Sequence, residues 1–525
     1  MRLSSPPRQA VRSAAIVALV ALWTGTNHSQ INQAPPSRAV VQDIGLPAID
    51  RGLHDQDPPR AARTSGNIPH ATTSGEALPY VRGSIIVKFK NDATRGAVSA
   101  ATAQVAGAIE DRSSSADFDI VDIPMTADPE VAAAALRERA DVEYAQPRYL
   151  NHAMARPNDT LYPNQWNFPA IDMERAWDIQ PGASTDIVVA VLDSGMAFRS
   201  TTVRYNSRFG FRLTQNGPQY PALGLVDIPF SAAPELGASG SSRFVAPRDF
   251  IWNDNLPLDL DGHGTHVAGT IGQVTNNGSG TAGMAYNVRL MPVKVIQGLW
   301  DEIFSSPFEG TDDVVARGIR YAADNGAKVI NLSIGREDGG PATAVIDAVR
   351  YAIGRGCFIA VASGNTRTDG NAANRLAQPA PEIEGMVAVG AVGRTLDIAF
   401  YSTTGSYLEL SAPGGDQRQG GLQAGILQQT VDPDFLETYL RPVAQYGPPR
   451  ADIFSYEFFQ GTSMATPHVS GFAALLMQQG ITEPAAIEAA MKQFATDRGA
   501  RGRDDLYGFG LINPRATLRG LGLSR

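Results

Sequence analysis

The chain has 525 residues, enough for roughly two to four domains, and its 43% hydrophobic content allows a large buried core. A formal net charge of −9 with no dominant basic face excludes nucleic acid as the main partner. The one cysteine, Cys357, excludes an intrachain disulfide and a cysteine-based zinc site.

Arg2, Arg8 and Arg12 precede an apolar run from Ala14 to Trp23. A basic segment before about ten apolar residues has the form of a secretory signal, expected over residues 1–23. The run is shorter than the ~20 residues a membrane span needs. No later stretch is a transmembrane candidate, so stable membrane insertion is not expected and a secreted or periplasmic location is. Residues 24–78 are rich in Pro, Ser, Gly and Asn with little periodicity, the composition of a disordered linker.

From Tyr80 the pattern changes. Strands are predicted over Ser84–Lys90, Phe118–Ile123 and Val142–Ala145, and helices over Thr94–Ala106 and Asp128–Ala140. They form a small α+β unit spanning residues 79–152. Asp186–Leu192 then reads as a continuous apolar strand, the type buried on both faces of a parallel sheet. Further strands are predicted at Arg289–Ile296, Lys328–Ser333, Cys357–Ala362 and Met386–Ala391. Helices are predicted at Thr311–Asn325, Ala342–Ile353 and Pro484–Thr496. This alternation implies an α/β domain over residues 157–520, a mostly parallel sheet flanked by helices on both faces. Function in such sheets collects at the carboxyl ends of strands. Three polar stretches, 197–258, 298–312 and 413–456, are long for loops and are expected to be functional or surface insertions. Cys357, inside an apolar run, reads as a small buried hydrophobe.

Four residues stand where chemistry is expected. Asp193 follows the apolar strand, in Leu192-Asp193-Ser194-Gly195. His263 lies in Asp261-Gly262-His263-Gly264-Thr265-His266, uncrowded by the flanking glycines. Asn365 ends Val361-Ala362-Ser363-Gly364-Asn365. Ser463 sits in Gly461-Thr462-Ser463-Met464-Ala465-Thr466-Pro467-His468, where a small-residue turn enters an apolar helix. Singly, each has an ordinary explanation: a turn-forming Asp, a turn Asn, a helix N-cap Ser. Together, the order Asp…His…Asn…Ser is what an acyl-transfer site on a parallel sheet requires. Ser463 would attack, His263 would take its proton, and Asp193 would fix the imidazole tautomer. Asn365 and the Ser463 N–H would hold the oxyanion. His266 and His468 are expected to be packed core histidines. A zinc site on His263 and His266 lacks the Glu of a His-Glu-x-x-His motif. Hydrolysis is expected to fall as His263 is protonated, at about pH 6–7.

These stretches, with Val329-Ile330-Asn331-Leu332-Ser333-Ile334-Gly335, resemble the subtilisin-like serine proteases, the subtilase family, over residues ~157–517. The resemblance implies a secreted serine endopeptidase acting on polypeptides through an acyl-enzyme, with no cofactor needed for catalysis. It implies that Ser333, Ile334 and Gly335 form a strand edge pairing with extended substrate. Residues 79–152 resemble the family's inhibitor-type propeptide, which would act as an intramolecular inhibitor with self-cleavage within Leu150–Arg156. Segment 298–312 falls where a second substrate-pairing strand is expected, with Trp300, Phe304 and Pro307 out of keeping there. Many relatives bind structural calcium. Asp254, Asp259 and Asp261 could supply oxygen ligands, although a solvated acidic loop is the favoured assignment. A monomer is expected. The alternatives are a catalytically silent secreted binding protein on the same scaffold, and an esterase or transpeptidase using the same chemistry.

Overall fold

The computed structural model describes residues 80–112, 117–149, 156–212, 219–436 and 447–520. The expected signal (1–23), the expected linker (24–78) and residues 150–155 of the expected processing segment lie outside them. No described helix is long and apolar enough to cross a membrane.

The N-terminal unit runs β1 (Tyr80–Phe89), α1 (Arg95–Gln104), β2 (Ala108–Arg112), β3 (Asp119–Asp122), α2 (Pro129–Arg137) and β4 (Val142–Tyr149). Its antiparallel sheet has the order β2-β3-β1-β4. Both helices start as their sequences dictate. Thr94 accepts from Ala97 N–H at 3.2 Å, and Asp128 accepts from Glu130 N–H at 2.8 Å with Pro129 in the first turn. Ala101, Ala133 and Leu136 bury their side chains with Ile85, Val87 and Val121 in a separate small core. The strand β2 is additional to the sequence expectation. Its Ala-Ile-Glu-Asp-Arg carries too few apolar residues to show a period.

The larger unit begins with two short helices, α3 (Asn167–Ala170) and α4 (Met173–Trp177), then β5 (Val188–Asp193). A ribbon, β6 (Thr201–Ser207) and β7 (Gly224–Phe230), and a two-residue strand, β8 (Arg248–Asp249), precede α5 (His263–Gly272). Next come β9 (Arg289–Lys294), α6 (Leu299–Ile303), α7 (Asp312–Asp324), β10 (Val329–Leu332), α8 (Thr343–Gly354), β11 (Phe358–Ala362) and β12 (Met386–Val392). The chain closes with β13 (Leu410–Pro413), β14 (Ile426–Val431), α9 (Pro433–Leu436), β15 (Phe454–Phe459), α10 (Thr462–Gln478), α11 (Pro484–Gln493) and α12 (Pro514–Gly520).

Seven strands form one sheet, β13-β12-β11-β10-β5-β9-β8, and every pairing in it is parallel. The strand period of two sorts β5 between two cores. Val189 and Val191 face the side of α5 and α10, with Val267, Ile271, Val469 and Phe472. Val188, Ala190 and Leu192 face the side of α7 and α8, with Val315, Ile319, Val345 and Ala348. Both faces are covered, which is why these strands read as unbroken apolar runs. From the central β5 the chain builds outward through β8 and β9 on one side, then β10 to β13 on the other. That reversal places a crevice at the carboxyl ends of β5 and β10.

The three polar stretches are more structured than surface insertions. Residues 197–258 contain the β6–β7 ribbon and the edge strand β8 of the main sheet. In 413–456, β14 is fully buried and pairs antiparallel with β15. These two stretches also meet, at a bridge between Phe230 and Ala451. Segment 298–312 contains a helix, not a second strand. Trp300 and Phe304 are buried in it, and Asp301 meets the fully buried Lys294 ammonium at 2.8 Å. Cys357 is buried and its thiol donates to the Ala327 carbonyl at 3.1 Å.

Candidate active site

Asp193 is the last residue of β5 and its side chain is fully buried. Its Oδ1 lies 2.7 Å from His263 Nδ1 and also accepts from Ser194 N–H at 2.7 Å. His263 is the first residue of α5. The close approach depends on Gly264: a Cβ there would sit 2.1 Å from the Gly195 carbonyl oxygen and 3.1 Å from Asp193 Cβ. The helix mouth is held by Asp259. One of its oxygens accepts from Ser194 Oγ, Asp261 N–H and Gly262 N–H, and the other from Thr265 N–H and Oγ1. Asp259 is therefore an interior anchor and not part of a solvated loop, although Asp261 beside it is exposed.

The charge around His263 sets its proton affinity. Burial of the ring opposes the charged form, but the Asp193 carboxylate, its hydrogen bond, and the charges of Asp261 and Asp259 outweigh it. The net effect raises the imidazole to about 9. The pH 6–7 range expected from an ordinary histidine is thus moved upward.

Ser463 stands in the first turn of α10, the end of a helix where backbone N–H groups lack intrahelical acceptors. Pro467 lies four residues on and has no N–H, so the Ser463 carbonyl has no helical donor. Ser333 Oγ supplies one at 2.8 Å. In return, Ser463 Oγ donates to the Ser333 carbonyl at 3.0 Å. Behind this pair, Asn331 Nδ2 donates to Ser333 Oγ at 2.9 Å, and Ser470 Oγ donates to Asn331 Oδ1 at 2.8 Å. This buried chain locks the start of α10 to the end of β10. No hydrogen bond joins Ser463 to the His263 ring among the described residues. The two side chains are carried by α10 and α5, which pack against each other.

Asn365, just past β11, accepts from Thr462 N–H at 2.9 Å and Thr462 Oγ1 at 3.0 Å through Oδ1. That leaves its Nδ2 as a donor beside the α10 mouth, 3.7 Å from where a Cβ on Gly461 would lie. Segment Ser333–Gly335 continues beyond the end of β10 without a strand partner along it among the described residues. It is braced from behind by Asn374, whose Nδ2 donates to the Ile334 and Ala362 carbonyls at 3.1 and 2.6 Å. Only glycine fits at 335, since a Cβ would sit 2.1 Å from Asn374 Nδ2.

Asp193 and His263 are thus in direct contact. Ser463 and Ser333 are paired, and Asn365 holds the residue before Ser463. Sequence reasoning missed Asn331, Asn374, Thr462 and Ser470. A polar residue inside a buried strand (Asn331) or helix (Ser470) was the available signal, because such a group needs a partner.

His266 and His468 are core residues, as expected. His266 Nε2 reaches the Ile426 and Glu457 carbonyls at 3.0 and 3.1 Å, and its ring stacks on Phe459 at 4.3 Å. His468 bridges the Met464 carbonyl and Asn167 Nδ2, each at 2.9 Å. Burial pushes His266 down to about 3 and His468 down to about 4, so both are neutral. For a cation, the residues fit poorly. Asp259 is saturated by N–H and O–H donors, and Asp254 and Asp261 accept from Leu256 N–H and His263 N–H. Among the described residues no group of three or more His, Cys, Asp or Glu side chains converges as a metal site.

Comparison with known proteins agrees with this architecture. The profile of the subtilase family matches residues 184–510, and that of the fervidolysin N-terminal prodomain matches residues 66–148. A thermophilic serine proteinase from a Bacillus species is 30% identical over 444 residues, covering 84% of this chain and 89% of that protein. Thermitase from Thermoactinomyces vulgaris is 31% identical over 325 residues, covering 62% of this chain and 86% of the relative. Among solved structures, a protease from Pseudoalteromonas arctica superposes with a TM-score of 0.50 at 25% identity, over 70% of this chain and 99% of that one. The chain belongs to the subtilase family, as a serine endopeptidase with a fervidolysin-type prodomain.

Proposed function

We propose that the protein is an extracytoplasmic endopeptidase, made as a self-processing zymogen, that cleaves polypeptides through an acyl-enzyme formed on Ser463. The observation that carries this reading is the 2.7 Å contact between His263 Nδ1 and the buried Asp193 carboxylate, on the helix packed against the one that bears Ser463. Asp193 holds the Nδ1–H tautomer, so Nε2 is the basic nitrogen. When substrate binds, the Ser463 hydroxyl turns from the Ser333 carbonyl toward Nε2. Catalytic hydrogen bonds are commonly looser before substrate arrives. Ser463 Oγ attacks the scissile carbonyl and His263 takes the proton. The oxyanion is held by Asn365 Nδ2 and the Ser463 N–H, reinforced by the positive end of the α10 dipole. His263 returns the proton to the leaving amine, and water reverses the sequence to release the acyl group. No step needs a cofactor.

In this reading residues 1–23 are a signal and 24–78 a linker, 79–152 an inhibitory propeptide, and 157–520 the peptidase. The propeptide is released by a cut within Leu150–Arg156, and the mature enzyme acts as a monomer. Ser333–Gly335 offers the backbone edge for extended substrate. The test is Ser463→Ala in the full-length chain, followed by mass. The unprocessed form should persist and bind no fluorophosphonate. A mature S463A product with no other protease present defeats self-processing. A wild-type peptidase unit that stays unlabelled at Ser463 favours the catalytically silent binding protein.

A further inference from the structure

Arg336 follows Gly335 directly and reaches across to Asp312, the first residue of α7. Its Nε and Nη2 meet Asp312 Oδ1 and Oδ2 at 3.0 and 2.8 Å, a bidentate pair. The pair is anchored at the Arg336 end. Arg336 N–H donates to Asn374 Oδ1 at 3.2 Å, its carbonyl accepts from Arg375 N–H at 2.8 Å, and its Nη1 donates to the Asp338 carbonyl. The two side chains are 32% and 33% exposed, so one side of the bridge is open to solvent.

The bridge stands at a definite distance from the chemistry. Ser333 is hydrogen-bonded twice to Ser463, and Arg336 is three residues further out. At ~3.3 Å per extended residue this is about 10 Å. A substrate paired antiparallel with Ser333–Gly335 brings the fourth residue upstream of the scissile bond alongside Arg336. Each end of the bridge has an apolar neighbour on its own element. Val315 is three residues on from Asp312, on the same helix face. Ile334 is two residues before Arg336, on the same side of an extended segment. Both are buried in one apolar cluster, at 4% and 9% exposure.

We propose that the Arg336–Asp312 bridge is a lid over an apolar floor, and that it restricts the fourth substrate residue upstream of the cut to small or polar side chains. A bulky apolar side chain would have to strip water from the ion pair without replacing its hydrogen bonds, or break it to reach Val315 and Ile334. A small side chain leaves the pair hydrated, and a polar one adds hydrogen bonds to it. The inference rests on Ser333–Gly335 as the substrate-pairing segment.

The test measures kcat/KM of the mature enzyme on peptides differing only at that residue, Ala or Ser against Leu or Phe. Wild type should favour the small residues. Asp312→Ala and Arg336→Ala should each raise the Leu-to-Ala ratio by about tenfold. The double swap Asp312→Arg with Arg336→Asp restores an ion pair and should return the ratio toward wild type; a merely structural role would move kcat/KM for the Ala and Leu peptides together and leave their ratio unchanged in every variant. Unchanged ratios in both single variants, or a wild type that already favours Leu or Phe, overturn the lid. Fluorophosphonate labelling of the same preparations separates the two failures. Labelled Ser463 with unaltered preference sinks the lid alone, whereas unlabelled Ser463 sinks the catalytic assignment beneath it.

Discussion

Two helix mouths face the same crevice and are furnished in opposite ways. Helices α5 and α10 both open at a glycine, with no side-chain cap on that residue. At the α5 mouth, Asp193, Asp259 and Asp261 crowd around His263. At the α10 mouth, the groups hydrogen-bonded to the first two residues are neutral: the Asn365 amide and Ser333. A helix N-terminus carries partial positive charge, which favours an anion and opposes a cation. The carboxylates at α5 more than cancel that, so an imidazolium is stabilised there. The neutral surroundings at α10 leave its dipole available to an oxyanion. One structural device can thus be adapted to opposite charges, and the side chains around it decide which.

This contrast can be broken at either end. The largest effect is expected from Asp193→Asn, which removes the charge and the tautomer control at the α5 mouth. It should lower kcat by about 10⁴-fold with the fold intact, read by steady-state kinetics beside circular dichroism. Asn365→Ala removes a donor at the α10 mouth and should lower kcat by about 10²–10³-fold with little change in KM. Its pH profile should stay put, because no charge near His263 is altered; a displaced profile would refute the division between the two mouths.

The pH profile itself sharpens the comparison. His263 is raised to about 9, so at neutral pH its protonated form dominates. The kcat/KM of the mature enzyme should therefore climb with pH between 7 and 9, later than an ordinary histidine near 6.5 allows. Asp259→Asn deletes one of the charges that hold the proton and should move the acid limb downward. A plateau already complete at pH 7 in wild type would contradict the carboxylate crowding. The smallest effect is on stability. His266 and His468 are buried and depressed below their unfolded values, so each of these rings binds more proton in the unfolded chain than in the folded one as pH falls below about 6.5. Their contribution to stability should drop from there toward pH 4, on the order of 1–3 kcal/mol for each ring, while the buried carboxyls of Asp249 and Glu409, both raised to about 7, slope the other way; the ring term is read as the difference between S463A chains with and without a further histidine substitution, by urea unfolding. His468→Gln should remove one such term, so that its stability difference from the parent narrows as pH falls from 6.5 toward 4.

The sequence made the central sheet legible because β5, β10, β11 and β12 are buried on both faces and advertise it as apolar runs. It hid β14, where Gln428, Gln429 and Thr430 are buried yet polar. Their partners are Thr281, the Glu235 N–H and the Gly262 carbonyl, all remote in sequence. The helix α6 was hidden for the same reason. Its Asp301 is polar only until the buried Lys294 and the Trp252 indole are placed beside it, at 2.8 and 2.6 Å. The four candidate site residues were legible because strand ends and a helix mouth can be read locally. The Ser470–Asn331–Ser333 chain was not, since only the fold brings it together. Pro467 was the overlooked clue: a proline four residues after Ser463 leaves that carbonyl bare, and some hydroxyl or amide had to come to it.

The solitary thiol has a practical consequence. Cys357 is sealed in the core at the amino end of β11, and burial lifts its ionisation to about 11, so it is chemically silent toward alkylating reagents in the native enzyme. A cysteine introduced in place of the exposed Phe308, four residues before Asp312, would then be the sole reactive handle on the folded peptidase. A fluorescent or spin probe attached there would report movement of that rim as peptides enter and leave, against no background from the parent protein.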